Sequence, residues 1–178
     1  VRPTPDRVRE AVFAMLGDGV EGSVVLDLFA GTGAMAIEAL SRGAAGAVLV
    51  ESSPLALGAL RANLASLEAE GAVCLPLDYR EAVRRLSAKG RTFDLVFLDP
   101  PYGKGLVGLS AGLLSRAGIL APGAVVVAER ASRDPVETLP AGWRERIERR
   151  YGDTRITLYD IPDPRGQAPP GGQNQENR

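Results

Sequence analysis

No histidine occurs anywhere in the 178 residues, and Cys74 is the single cysteine. The first absence excludes every mechanism that needs a histidine base. The two together exclude an intramolecular disulfide and leave almost nothing from which to build a Cys/His zinc site. No run of about 18 or more apolar residues is present, so no membrane-spanning helix is expected. No signal-peptide pattern opens the chain, which starts at Val1 rather than Met, and a cytoplasmic location is the default expectation. Excess positive charge is also missing. The net charge is −1 and the pI about 5.6, which argues against a strongly basic nucleic-acid binder. A local basic run remains between Trp143 and Arg155, WRERIERRYGDTR. It reads either as a solvated strand face or as a patch for a polyanion.

What is there suits one ordinary globular domain: 45% of residues are hydrophobic and 24% charged. Strands and helices alternate along the chain. TPDRVREAVFAML offers Thr4 as an N-cap, Pro5 at the first helical position, and Val8, Val12, Phe13 and Leu16 as an apolar stripe. SVVLDLFA is a strand ended by GTG, and AMAIEALSR a helix closed by Gly43. AVLVES is a second strand, PLALGALRANLASLEAE a second helix, and AVCLPL a third strand. Cys74 is expected there as a buried structural thiol rather than a nucleophile. YREAVRRLSAK, FDLVFLD, LVGLSAGLLSRA and GAVVVAER continue the alternation, although Gly108 and Gly112 weaken the helix that contains them. RERIERRY and TRITLYDI flank Gly152–Asp153 as an antiparallel hairpin. The domain is expected to span 1–161. Residues 162–178, polar and rich in Pro and Gly, are expected to be a disordered tail.

Apolar strands alternating with helices imply an α/β fold with a mostly parallel sheet covered on both faces. Such sheets bind ligands beyond the carboxyl ends of their strands, at a topological switch point. Four successive strands end in, or just before, an acid: Asp27, Glu51, Asp78 and Asp99. Strand-end acids also cap helices, so the set is a candidate site rather than a proven one. Gly31, Gly33 and Ala36 fit G-x-G-x-x-G/A, and Glu51 lies about 20 residues on, as a dinucleotide site requires. Asp27 weighs against NAD. A carboxylate about 5 Å from a pyrophosphate would repel each phosphate charge by roughly 3 kcal/mol at an effective dielectric of 20. It would attract the ammonium and sulfonium of S-adenosyl-L-methionine. Glu51 suits ribose hydroxyls with either cofactor, and Asp78 suits the amine of adenine.

The fourth strand leaves the sheet through Asp99, Pro100, Pro101 and Tyr102. Prolines end the ladder because they lack an N–H. The result is a rigid corner presenting a carboxylate, a carbonyl and an aromatic ring. VLDLFAGTG, Glu51, Asp78 and DPPY, in that order, resemble the class I S-adenosylmethionine-dependent methyltransferases. In that superfamily [DNS]-PP-[YFW] marks enzymes that methylate exocyclic or amide nitrogens. RPTPDRVREAVFAML, LDLFAGTGAMAIEALSRGA and FLDPPY together resemble the RsmD family, bacterial enzymes that methylate the exocyclic N2 of one guanine in small-subunit (16S) ribosomal RNA. The resemblance runs roughly from Arg2 to Ile161. Family members usually carry a short basic, glycine-containing segment before RPT, whereas this sequence opens almost at RPT.

The resemblance implies a Rossmann-like fold with a seven-stranded sheet and a C-terminal antiparallel hairpin. It also implies S-adenosyl-L-methionine as cofactor and no metal. The catalytic group would be Asp99 and the Pro100 carbonyl, accepting the two N–H bonds of the target amine, with Tyr102 stacked on the base. Asp27, Gly31, Gly33, Glu51 and Asp78 would surround the cofactor. Phe29 either lines its methionine end or packs the sheet edge, and Thr4 either contacts it or only caps a helix. The expected partner is ribosomal RNA within the small subunit or an assembly intermediate, met by a monomer. A DNA or other RNA amino-methyltransferase, a protein-glutamine methyltransferase and a non-catalytic binding module remain alternatives; the glutamine enzymes typically carry NPPY where this chain has Asp99.

Overall fold

The computed structural model describes residues 6–163. Thr4 and most of the C-terminal tail lie outside the described residues. Among the described residues, five α-helices and seven strands follow one another as α1 (Asp6–Leu16), which runs into a 3-10 turn at Gly17–Val20, β1 (Val24–Asp27), α2 (Ala34–Ser41), β2 (Gly46–Val50), α3 (Pro54–Ser66), β3 (Ala72–Leu75), α4 (Tyr79–Ala88), β4 (Phe93–Leu98), α5 (Leu106–Ala117), β5 (Leu120–Ala131), β6 (Arg144–Tyr151) and β7 (Thr154–Asp160). The strands form one sheet in the order β3-β2-β1-β4-β5-β7-β6. β1 to β5 pair in parallel, and β7 and β6 complete the sheet antiparallel.

The period-two pleat divides the core. Val25 of β1 with Leu95 and Phe97 of β4 face α1, α2 and α3. Leu26 of β1 with Val96 and Leu98 of β4 face α4 and α5. Helices therefore cover both faces, as the continuous apolar strands require. All four stripe residues of α1 are buried, and Phe13 packs on Phe97 with ring centroids 5.9 Å apart. The direction in which successive strands are added across the sheet reverses between β1 and β4, since β2 and β3 lie on one side of that parallel pair and β5 on the other. The crevice above their carboxyl ends is the switch point. No helix among the described residues is long and apolar enough to cross a membrane.

Four local expectations need correction or completion. α3 stops at Ser66 rather than running through the LEAE segment, and the chain turns at Glu68, whose φ is 47°. β3 ends before Pro76, which has no N–H to donate. Cys74 is only half-buried, because β3 is an outer strand with a neighbour on one side. Gly108, which looked like a weakness in α5, has a packing reason. A Cβ there would lie 2.9 Å from the Thr138 carbonyl oxygen, so the segment after β5 crosses the helix at this point.

The basic run is largely committed to the hairpin. Arg146 donates from Nε to Asp160 at 3.0 Å, and Arg155 donates to the Ser132 carbonyl at 2.9 Å. The buried Arg130 of β5 donates to the Tyr159 hydroxyl at 3.0 Å and pairs with Glu148 at 3.3 Å, tying three strands together.

Candidate active site

The loop after β1 is built on a left-handed turn. Gly33, at the N-terminus of α2, has φ 86° and ψ 9°. A Cβ on it would meet Leu60 Cδ1 at 2.5 Å and Leu49 Cδ2 at 3.2 Å. Gly33→Ala is therefore expected to combine a left-handed backbone cost of roughly 1–2 kcal/mol with displacement of a buried leucine, about 2–4 kcal/mol in all. Urea unfolding measures it; a loss below about 0.5 kcal/mol would mean that the loop adjusts freely.

Glu51, just past β2, holds this loop. Its Oε2 accepts the Gly31 N–H at 2.8 Å and its Oε1 accepts the Ser53 N–H at 2.7 Å. Both oxygens thus have backbone donors, and a ribose hydroxyl would share them. Asp78 behaves as a helix cap: it accepts the Arg80 N–H at 2.9 Å at the start of α4. Phe29 is partly buried and turns toward α4, where its ring lies 5.2 Å from that of Tyr79.

Asp27 is buried at 3% exposure at the end of β1. Desolvation pushes its carboxyl up to about 7; the amides of Ala36 and Phe29 oppose the rise and the Glu51 charge adds to it. Asp99, half-buried beyond β4, is pushed up to about 8, first by desolvation and then by the charges of Glu129 and Asp27. Two carboxyls held high at one crevice favour a cationic ligand, whose charge relieves both. A pyrophosphate would make the same crevice worse. The donor set thus fits a sulfonium and ammonium, and it opposes a dinucleotide. Among the described residues no group of three or more His, Cys, Asp or Glu could hold a metal ion.

Pro100 is buried, while Pro101 and Tyr102 are exposed. The Tyr102 hydroxyl donates to Glu129 Oε1 at 2.7 Å and lies 3.3 Å from Thr154 Oγ1. Burial and the Glu129 contact raise the phenol further above its ordinary range, so it stays a neutral donor. The loop that follows is anchored at both ends. Gly103 N–H donates to Asp134 at 3.0 Å, and Gly108 N–H donates to Glu137. Lys104 is exposed between these anchors.

Glu129 is the residue that sequence reasoning missed. β4 and β5 pair with Leu98 opposite Ala128, so Asp99 and Glu129 are the next two positions along neighbouring strands. Both open onto one apolar-walled cavity with Val12, Met35, Phe97 and Ile156. The available signal was a fifth strand carrying an acid near its carboxyl end, in GAVVVAER. The structure thus brings Asp27, Gly31, Gly33, Glu51, Asp99, Pro100 and Tyr102 to one edge of the sheet, adds Glu129, and leaves Asp78 and Phe29 toward α4.

Comparisons with known proteins identify similar chains. The family model described as conserved hypothetical protein 95 matches residues 1–160. The Escherichia coli protein named ribosomal RNA small subunit methyltransferase D is 38% identical over 159 residues, 89% of this chain and 79% of that protein. Its namesake from Haemophilus influenzae is 32% identical over 161 residues, 89% of this chain and 82% of its own length. The solved structure of Escherichia coli yhhF superposes with a TM-score of 0.82 at 36% identity, covering 92% of this chain and 88% of that one. With a family model across nearly the whole domain, a relative of this identity and a solved structure that superposes this well, the chain belongs to the RsmD family of class I methyltransferases.

Proposed function

We propose that this protein transfers a methyl group from S-adenosyl-L-methionine to the exocyclic N2 of a guanine in small-subunit ribosomal RNA. The observation that carries the reading is the Asp99–Tyr102 corner. The corner combines the desolvated Asp99 carboxyl, the carbonyl of the buried residue Pro100 and the exposed Tyr102 ring, beyond the carboxyl end of β4. The cofactor supplies an electrophilic methyl group on a cationic sulfur. Asp27 and the glycine loop, held by Glu51, provide its binding edge. The Asp99 carboxylate and the Pro100 carbonyl accept the two N–H bonds of the amine, which aims the nitrogen lone pair and stabilises the positive charge it develops. Asp99 or water takes the proton released. Tyr102 stacks on the base, worth roughly 1–3 kcal/mol, which offsets much of the cost of extruding it.

The test uses tritiated S-adenosylmethionine and small subunits from cells that lack their own enzyme, followed by nucleoside analysis. Label is expected in N2-methylguanosine. The assembled subunit is expected to react at least about tenfold faster than protein-free RNA, because a protein of net charge −1 gains little from phosphate contacts alone. Label in adenine or cytosine would overturn the guanine reading and keep the methyltransferase. Equal rates on naked RNA would overturn the particle as substrate.

A further inference from the structure

Asp99 and Glu129 stand side by side on β4 and β5, on the same face of the sheet, because both follow the paired residues Leu98 and Ala128 by one position. Neighbouring strands are about 4.8 Å apart, so two carboxylates serve one small volume. They open onto the same cavity, where desolvation raises Asp99 and the Glu129 charge adds to the rise. Two acids so close are costly unless something uses both. If Asp99 and Pro100 take the amine, Glu129 lies beside it, within reach of a neighbouring ring nitrogen that flanks the amine; guanine has two of these, N1–H and N3, and only its N1 side offers a donor.

That neighbour differs among the bases with an exocyclic amine. Beside N6 of adenine is N1, a lone pair. Beside N4 of cytosine is N3, also a lone pair. Only guanine has an N–H, at N1, next to its amine. A carboxylate accepts from that N–H and repels either lone pair. We propose that Glu129 accepts the N1–H of the target guanine and so makes the site specific for guanine, an inference that rests on the guanine-N2 reading above. The Tyr102 hydroxyl donates to Glu129 Oε1 at 2.7 Å, so the ring that stacks on the base also fixes the carboxylate that reads its edge. An ionised carboxylate has about four acceptor positions, so the Tyr102 bond is compatible with a further one from the base.

The experiment replaces the target nucleotide, in reconstituted small subunits, by 2-aminopurine. That base keeps the N2 amine but has a lone pair at N1 in place of the N–H. The wild-type protein is expected to prefer guanine by about 100-fold or more in kcat/KM, as buried polar groups left unmatched discriminate strongly. Glu129→Gln offers an N–H2 to the N1 lone pair, and the preference is expected to fall below about tenfold. A variant damaged only in structure would lose both substrates in proportion. Wild-type rates on the two bases within about threefold would overturn the inference without any variant. So would a guanine preference that Glu129→Gln leaves unchanged. Wild-type protein that labels no guanine at all would overturn the parent reading instead, and this inference with it.

Discussion

Asp99→Ala is expected to slow single-turnover methyl transfer by about 100- to 1,000-fold, the usual cost of removing one preorganised group that faces developing charge. The loss belongs in the rate of the bound complex. The amine keeps the Pro100 carbonyl as one acceptor but loses the one that carries charge. Its lone pair is then aimed less well and its growing positive charge is less stabilised. Asp99→Asn separates these contributions. The amide oxygen still accepts one N–H, but it neither carries the charge nor takes the proton. Asparagine is therefore expected to fall between, about tenfold below wild type. Rapid-quench measurement with cofactor and RNA saturating reads both variants. Alanine within tenfold of wild type would remove Asp99 from the chemistry. Asparagine as slow as alanine would assign the whole effect to charge and proton transfer.

The parts of this site that were legible in the sequence are those coded by local chemistry. A strand that meets two prolines must stop, so Asp99 to Tyr102 announced a corner before any fold was known. Gly31 and Gly33 announced a tight turn in the same way, and Gly33 adopts φ 86° there. The α1 stripe was read from helical spacing, and all of its members are buried. What stayed hidden depends on the register between distant strands. Glu129 follows a run of valines and precedes an arginine, which looks like an ordinary exposed strand end. Its meaning comes only from pairing with β4, some thirty residues earlier, and from the hydroxyl of Tyr102. Cys74 is the converse case. Its apolar neighbours suggest a core strand, but burial is decided by strand order, and β3 has no outer neighbour. Gly108 likewise looked like poor helix chemistry until the chain after β5 was seen to cross it.

The buried carboxyls make a second large effect, in which stability and cofactor binding oppose each other. Asp27 and Asp99 are held up to about 7 and about 8 in the folded protein, against an ordinary value of 3.8. Between those limits the folded state binds more protons than the unfolded state, so stability falls as pH rises. The contribution is fully present below about pH 4 and is lost progressively toward pH 7 to 8. Glu81 works in the other direction but lower. Hydrogen bonds from Arg84 and Arg85 hold it down to about 2, so its contribution is lost only as pH falls from about 4.5. The window from pH 5 to 8 therefore belongs to the buried pair. One unit of pKa is about 1.36 kcal/mol, which bounds the Asp27 effect at about 4 kcal/mol. Asp27→Asn is accordingly expected to stabilise the ligand-free protein at pH 8 by about 1–3 kcal/mol, the remainder being offset by an amide N–H2 that the site was not built to satisfy. The same change should weaken S-adenosylmethionine, because a cation binds best when Asp27 is ionised. Cofactor affinity is expected to rise with pH between 6 and 8 in the wild-type protein, with protons released on binding, and to rise less steeply in the variant. Urea unfolding across pH and calorimetric titration in buffers of different ionisation enthalpy measure the two halves. Stability that stayed flat from pH 5 to 8, together with binding that released no proton, would mean that both carboxyls are already ionised in the free protein, and the attraction for a cation would then come from charges the fold holds at a standing cost.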